Sequence, residues 1–309
     1  MRISSGYQFD TYARNVAQSE QRYAEAQRAV VTGRRLNSLR DDPFGTTRSL
    51  TMRSLRSAAE QYTKNLDTAK SVLGANDAAL SDVYGVLRDA YQVALRGANG
   101  TSDQPTHQSM ARQIADLQRR LLELGNTKAP TGNYLFAGQD SADKPFSLDP
   151  SDGPTPPGGT ALPTGGSIVY SGDSLPVLVE TGPGEALSVS VDGGPLISQA
   201  YRRLDQIRLH LENGDLASLG GDDLREIQAS MDAVNTARAS VGSRLQQVEE
   251  RRTTLQKRID DLTKDLSDVE EVDLSEAIQR FKVAETAYQA ALTVAAQGFK
   301  LSLMDFIQG

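Results

Sequence analysis

The chain has 309 residues, 38% of them hydrophobic and 24% charged, with a net charge of −7, no Cys and no Trp. That is enough apolar material for a core, while the absence of Cys removes disulfides and thiolate metal sites. Residues 1–56 carry ten Arg against five acidic residues, leaving −12 for the rest; these Arg are spread along a helical pattern without aromatic interleaving, which argues against a nucleic-acid partner.

Residues 7–32 predict a first helix, with Phe9, Tyr12, Val16, Ser19, Tyr23, Ala26 and Val30 in steps of three and four and Gly33 placed to end it. In RRLNSLRDDPFG, Asp41 or Asp42 can cap a second helix whose first turn takes Pro43. From Met52 its apolar stripe runs unbroken to Ala94 except at Asn76, so the helix is expected to reach about Arg96. GANGTSDQP interrupts, and a shorter helix follows with Met110, Ile114, Leu117, Leu121 and Leu124.

Near Asn126 the character changes. Ser151 to Pro195 holds 17 Gly and Pro in 45 residues around the short β-type runs SIVYSG, LPVLVE and ALSVSVDGG, so 131–196 is expected to be a small β-rich insertion with a loop at 149–166. Helix resumes at Ile197 and pauses at LENGDLASLGG. Then comes the strongest periodicity, from Leu224 to Val269, where twelve of fourteen seam positions are apolar; this is a coiled-coil seam. The two polar exceptions are Arg238 and Arg252. With Asn76 they either set register between long helices or, for the Arg, extend along a helix edge to solvent.

The rhythm slips after Val269, and DLSE reads as a fresh start capped by Asp273. The last helix carries Leu274, Ile278, Phe281, Glu285, Tyr288, Leu292, Ala295, Phe299, Leu303 and Phe306. The architecture is therefore mainly α: a long antiparallel coiled-coil or helical-bundle rod built from both ends of the chain, with a small β-rich domain inserted in the middle. Its divisions are 1–40, 41–130, 131–196, 197–270 and 271–309.

The tail GFKLSLMDFIQG raises a stability question. Burying its six large apolar side chains contributes at most roughly 9 to 18 kcal/mol, and ordering twelve residues costs about 12 to 24 kcal/mol. The tail needs a large apolar partner surface. Either it forms a hairpin with the first helix on the rod, or neighbouring copies complete the paired termini. The candidate assembly residues are Phe9, Tyr12, Val16, Tyr23, Val30, Phe281, Tyr288, Leu292, Phe299, Leu303 and Phe306.

No catalytic constellation emerges. His107 and His210 sit among polar residues without metal-ligand spacing and read as surface residues. No GxSxG elbow or phosphate loop occurs, and the pairs Asp41/Asp42, Asp222/Asp223 and Glu270/Glu271 fall at helix ends, where capping explains them. Neither an enzyme nor a cofactor is expected. Residues 1–30 lack a secretory apolar core and no window approaches the roughly 20 apolar residues of a membrane span, so the chain is expected to remain in the cytoplasm or to leave without a cleaved signal.

Six stretches in order, MRISSGYQF, RRLNSLRDDPFGTTRSL, ANGT, GNYLFAGQDS, ARASVGSRLQQVE and EAIQRFKVAETAYQAALTVAAQGFKLSLMDFI, resemble the flagellin superfamily of the bacterial flagellum, and within it the hook-filament junction proteins, hook-associated protein 3. Asp41, Asp42, Pro43, Tyr134 to Gly138 and Leu301 to Phe306 resemble these more than flagellin proper. The resemblance implies a non-enzymatic structural protein, exported unfolded by type III secretion, with termini disordered until polymerised. It also implies partners: further copies of itself, hook-associated protein 1, flagellin, and an export chaperone on the C-terminal helix. A flagellin proper and a cytoplasmic coiled-coil adaptor remain as rivals.

Overall fold

The structure, a computed structural model, describes residues 2–36, 42–99, 103–139, 143–149 and 167–307, with side chains described except at 2–6, 8–9 and 299–307. The loop expected at 149–166 lies, from residue 150 on, outside the described residues. So does Asp41.

The elements are α1 (Arg2–Thr32), α2 (Pro43–Ala98), α3 (Gln104–Gly125), β1 (Phe146–Leu148), β2 (Ile168–Tyr170), β3 (Leu178–Gly182), β4 (Glu185–Ser188), α4 (Gly193–Asn213), the one-turn α5 (Leu216–Ser218), α6 (Leu224–Glu270) and α7 (Leu274–Ile307). Their ends follow from local chemistry. The Asp42 Oδ1 accepts the Gly45 amide at 2.9 Å, capping α2 at its Pro43 start. Asp273 Oδ1 accepts the amides of Ser275 and Glu276 at 2.8 and 3.2 Å and starts α7. Gly33 and Gly214, at φ +66° and +69°, take the left-handed conformation that closes α1 and α4.

Two compact units divide the chain: residues 1–58 with 257–309, and residues 59–256. The second holds a continuous core. Leu66, Leu73, Leu80 and Leu87 of α2 are completely buried, as are Ile114 and Leu121 of α3, Ile197, Leu204 and Leu211 of α4, and Val234, Val241 and Val248 of α6. Each such side chain contributes roughly 1.5 to 3 kcal/mol of burial free energy. Ion pairs Lys70 to Glu249 at 3.0 Å and Asp77 to Arg238 at 3.0 Å fix α2 and α6 as antiparallel, since partner numbers fall as positions rise.

The inserted strands form two antiparallel pairs, with Phe146 opposite Tyr170 in one and Leu178 opposite Ser188 in the other. β1 was not anticipated. Phe136 and Phe146 are fully buried and lie so close to α3 and α4 that a Cβ on Gly193 would meet Phe136 at 2.5 Å and one on Gly125 would meet Phe146 at 2.8 Å. The insertion thus shares its core with these helices.

Three polar residues differ from the surface and capping roles expected for them. His107 is buried, with its Nε2 lacking a hydrogen-bond partner. His210 is half-buried with its Nδ1 2.6 Å from the buried Asp223 carboxylate. Asp223 closes the π-helical turn Leu219–Asp223 ahead of α6, so the break between α4 and α6 is held by a side-chain pair, and burial raises the Asp223 carboxyl pKa despite the imidazole beside it.

Candidate assembly interface

α1 and α7 pack as an antiparallel pair. Tyr12, Val16, Ser19, Tyr23, Ala26 and Val30 of α1 are all half-buried, so the stripe expected from sequence is the face turned to α7. Tyr23 stacks on Tyr288 with ring centroids 5.7 Å apart and lies 5.4 Å from Phe281. A Cβ on Gly298 would meet the Tyr12 ring at 2.6 Å.

The α7 side of this contact keeps Phe281, Tyr288 and Ala295 of the seam read from sequence and replaces the positions between them. Ala277, Ala284, Ala291 and Gly298, spaced by sevens, are buried or half-buried together with Phe281, Tyr288 and Ala295, whereas Leu274, Ile278 and Leu292 are exposed. Small residues win the inner face because they let the backbones approach closely, and the large aliphatic ones turn outward. The heptad of small residues was present in the sequence, but a search for large apolar positions passes over Ala and Gly.

The two helices differ in what they show to water. Between the exposed Tyr7 and Val31 at its ends, the exposed positions of α1 include Asp10, Arg14, Asn15, Glu20, Glu25 and Arg28, an ordinary solvated face. On α7, Val283 is 70% exposed, Val294 53% and Leu292 43%, and no charged residue occurs from Thr286 to Phe299. Thr286, Gln289, Thr293 and Gln297 share one exposed stripe, and the exposed Leu292 and Val294 beside it are apolar surface that a partner can cover. Here α1 covers one side only. The side chains of Phe9, Phe299, Leu303 and Phe306 lie outside those described.

At the base of the pair, the two interhelix connections hydrogen-bond to each other: Arg35 N donates to Glu270 O at 2.7 Å and Val272 N to Gly33 O at 3.0 Å. The Arg35 guanidinium donates to Val269 O at 3.0 Å. Glu270, buried rather than capping, accepts from Arg53 Nε and Nη2 at 2.8 and 2.6 Å and from the Ser49 hydroxyl. Below it Met52, Leu262 and Leu266 form a small apolar cluster. The Arg53 guanidinium, with Ser49, holds the Glu270 carboxyl below the usual glutamate range.

In the unit formed by 59–256, Arg238 pairs with Asp77 at 3.0 Å and Arg252 with Asp67 at 3.3 Å, all half-exposed or exposed. Asn76 is fully buried and donates to Val189 O at 3.0 Å, beyond β4, and to Val72 O at 3.2 Å. It therefore ties α2 to the inserted strands, while the two Arg bridge α2 and α6. Among the described residues no three His, Asp or Glu side chains gather as metal ligands, and no helix is long and apolar enough to cross a membrane.

Two halves of one family match the chain: the bacterial flagellin N-terminal helical region at residues 3–141 and the C-terminal helical region at 224–307. Both terminal helices fall inside them. The chain belongs to the flagellin family. Members of this family are structural, not enzymatic. Over most of its length this flagellin-family chain is similar to flagellar hook-associated protein 3 of Escherichia coli K12, at 24% identity over 94% of this chain and 95% of the relative. It is also similar to a flagellin of Bacillus subtilis, at 23% identity over 86% of each chain. Its fold matches a solved flagellar hook-associated protein of Vibrio parahaemolyticus with a TM-score of 0.65 and 19% identity, covering 75% of this chain and all of that one. The place of the chain is accordingly the bacterial flagellum.

Proposed function

We propose that the chain is the junction subunit between hook-associated protein 1 and the flagellin filament, assembled through α1 and α7. The observation that carries this reading is the uncharged stretch of α7 from Thr286 to Phe299, where Leu292 and Val294 are exposed beside the face that α1 covers. Further copies supply the missing cover, through Tyr12, Val16, Tyr23, Val30, Phe281, Tyr288 and Leu292, continued by Phe9, Phe299, Leu303 and Phe306. In this reading 1–40 and 271–309 build an inner tube, 41–130 and 197–270 a surrounding rod, and 131–196 an outer domain. Arg238 and Arg252 keep the register of the rod helices, and Asn76 fixes α2 against the outer domain. The chain leaves the cell without a cleaved signal, its C-terminal helix shielded by an export chaperone beforehand.

The test is limited proteolysis of the purified chain before and after assembly with flagellin. Trimming to about residue 40 and from about residue 271 in the monomer, with protection in the polymer, supports the proposal. Termini equally resistant in both states overturn it. A second reading, flagellin proper, draws on the similar identity to the Bacillus subtilis protein, over a smaller share of the chain. Long filaments from the purified chain alone at high salt would establish it instead.

A further inference from the structure

The first turns of α2 carry an unused surface. Phe44, Arg48, Thr51 and Leu55 recur at helical spacing on one exposed stripe, with Phe44 90% and Leu55 43% accessible. Pro43 and the Asp42 cap hold the start of the helix in place, so Phe44 sits on an ordered element rather than on a loose end. An aromatic residue beside an Arg on a helix face has the composition of an interface anchor.

A second stripe lies on the neighbouring helix. From Asp260 to Glu276 there are eight acidic residues and one base, Lys264. Glu270 is taken by Arg53, Glu271 by Ser267, Glu276 by Arg280, Asp260 also has a partner, and Asp273 caps α7. Asp261, Asp265 and Asp268 remain, at i, i+4 and i+7 on one exposed face. Like charges at this spacing destabilise a helix unless a cation answers them. Lys257 and Lys264 stand one turn before Asp261 and Asp268, yet among the described residues Arg48, Asp261, Asp265 and Asp268 enter no ion pair.

We propose that these stripes meet between two copies of the chain, the α2 start of one docking on the α6 end and α7 start of the next. This rests on the assembly reading above and adds to it a contact outside the terminal helices. Within one chain Met52 clusters with Leu266. A neighbour placed side by side in that same register sets Phe44 against Leu274, which is 54% exposed, and Arg48 opposite Glu270, two positions from Asp268. The two surfaces are different, so the contact is head-to-tail and closes into a ring or continues as a helix of subunits, as a junction layer requires.

The chain has no Cys, so single-cysteine variants report the contact cleanly. Arg48→Cys and Asp268→Cys chains are mixed, oxidised mildly and analysed by mass spectrometry, with sedimentation of the wild type in parallel. The mixed disulfide should dominate both homodisulfides. Statistical proportions of the three, or no disulfide at all up to millimolar protein, overturn the proposal. Arg48→Asp and Asp268→Arg should each reduce association about ten-fold, and association should return both on mixing the two variants, which in alternating order place opposite charges at every contact, and on combining the two changes in one chain. Failure of the assembly reading is seen separately: the Leu292→Asp chain would then sediment as wild type.

Discussion

Glu270 illustrates how one buried carboxylate ties the terminal unit together. Its partners come from α2, and its own carbonyl receives the Arg35 amide of the preceding connection. Because its folded pKa is lowered, chiefly by Arg53, the stabilisation is complete above the usual glutamate pKa and is lost as pH falls through the folded value. Glu270→Gln should cost about 1 to 2 kcal/mol at neutral pH, toward the lower end because Arg53 is half exposed. It should also flatten the acid limb of the stability curve of residues 1–58 with 257–309. Urea titrations at pH 7 and pH 4 check both effects; an unchanged pH dependence would refute the assignment. Glycines give a contrasting pair. Gly74 has open space around its Cβ position, so Gly74→Ala should stabilise α2 by about 0.5 to 1 kcal/mol. Gly193→Ala should cost about 1 to 3 kcal/mol, since the new Cβ meets Phe136 at 2.5 Å. Thermal unfolding of the two variants in opposite directions is the measure.

At the scale of elements, the long seams were legible because a helix with one buried face must repeat its apolar residues every three to four positions. All fourteen seam positions from Leu224 to Val269 are buried or half-buried. The stripe of α2 behaves alike except at Leu55, which is exposed. What escaped the sequence was side-chain pairing between distant positions, such as Ser49 and Arg53 with Glu270 or His210 with Asp223, since capping accounts for an acidic residue near a helix end just as well. β1 escaped because three residues, Phe146–Leu148, are too few to show an alternation. On α7 the pattern placed Phe281, Tyr288 and Ala295 correctly but took Leu274, Ile278 and Leu292 in place of Ala277, Ala284 and Ala291, because close backbone approach selects small residues that a hydrophobic pattern ignores. The Arg238 and Asp77 pair can be tested for a register role by a double-mutant cycle with Arg238→Ala and Asp77→Ala. Exposed pairs of this kind couple by about 0.2 to 1 kcal/mol. A role in register requires more than that: the single variants should also shift disulfide trapping between cysteines placed along α2 and α6, whereas a coupling energy without any shift means the pair is a surface contact.

On the scale of the whole molecule, the two units differ in how much apolar surface each buries. Residues 59–256 contain a core drawn from α2, α3, α4 and α6 and from the inserted strands, with many side chains wholly removed from solvent. In α7, by contrast, Ala277 and Ala295 are the buried residues among the described side chains, and the aromatic trio Tyr23, Phe281 and Tyr288 stays half-wet. The free energy opposing local opening should therefore be small along α1 and α7 and close to the global value in the second unit. Native-state amide exchange on the isolated chain should find the backbone around Tyr23 and Tyr288 exchanging at least about 100-fold faster than that around Leu80, Leu204 and Val241, a difference of roughly 3 kcal/mol. Assembly should slow the first group and leave the second unchanged. A chain that protects both groups equally before any partner is added would have stable terminal helices of its own, and the exposed apolar side chains of α7 would then need an explanation other than burial between subunits.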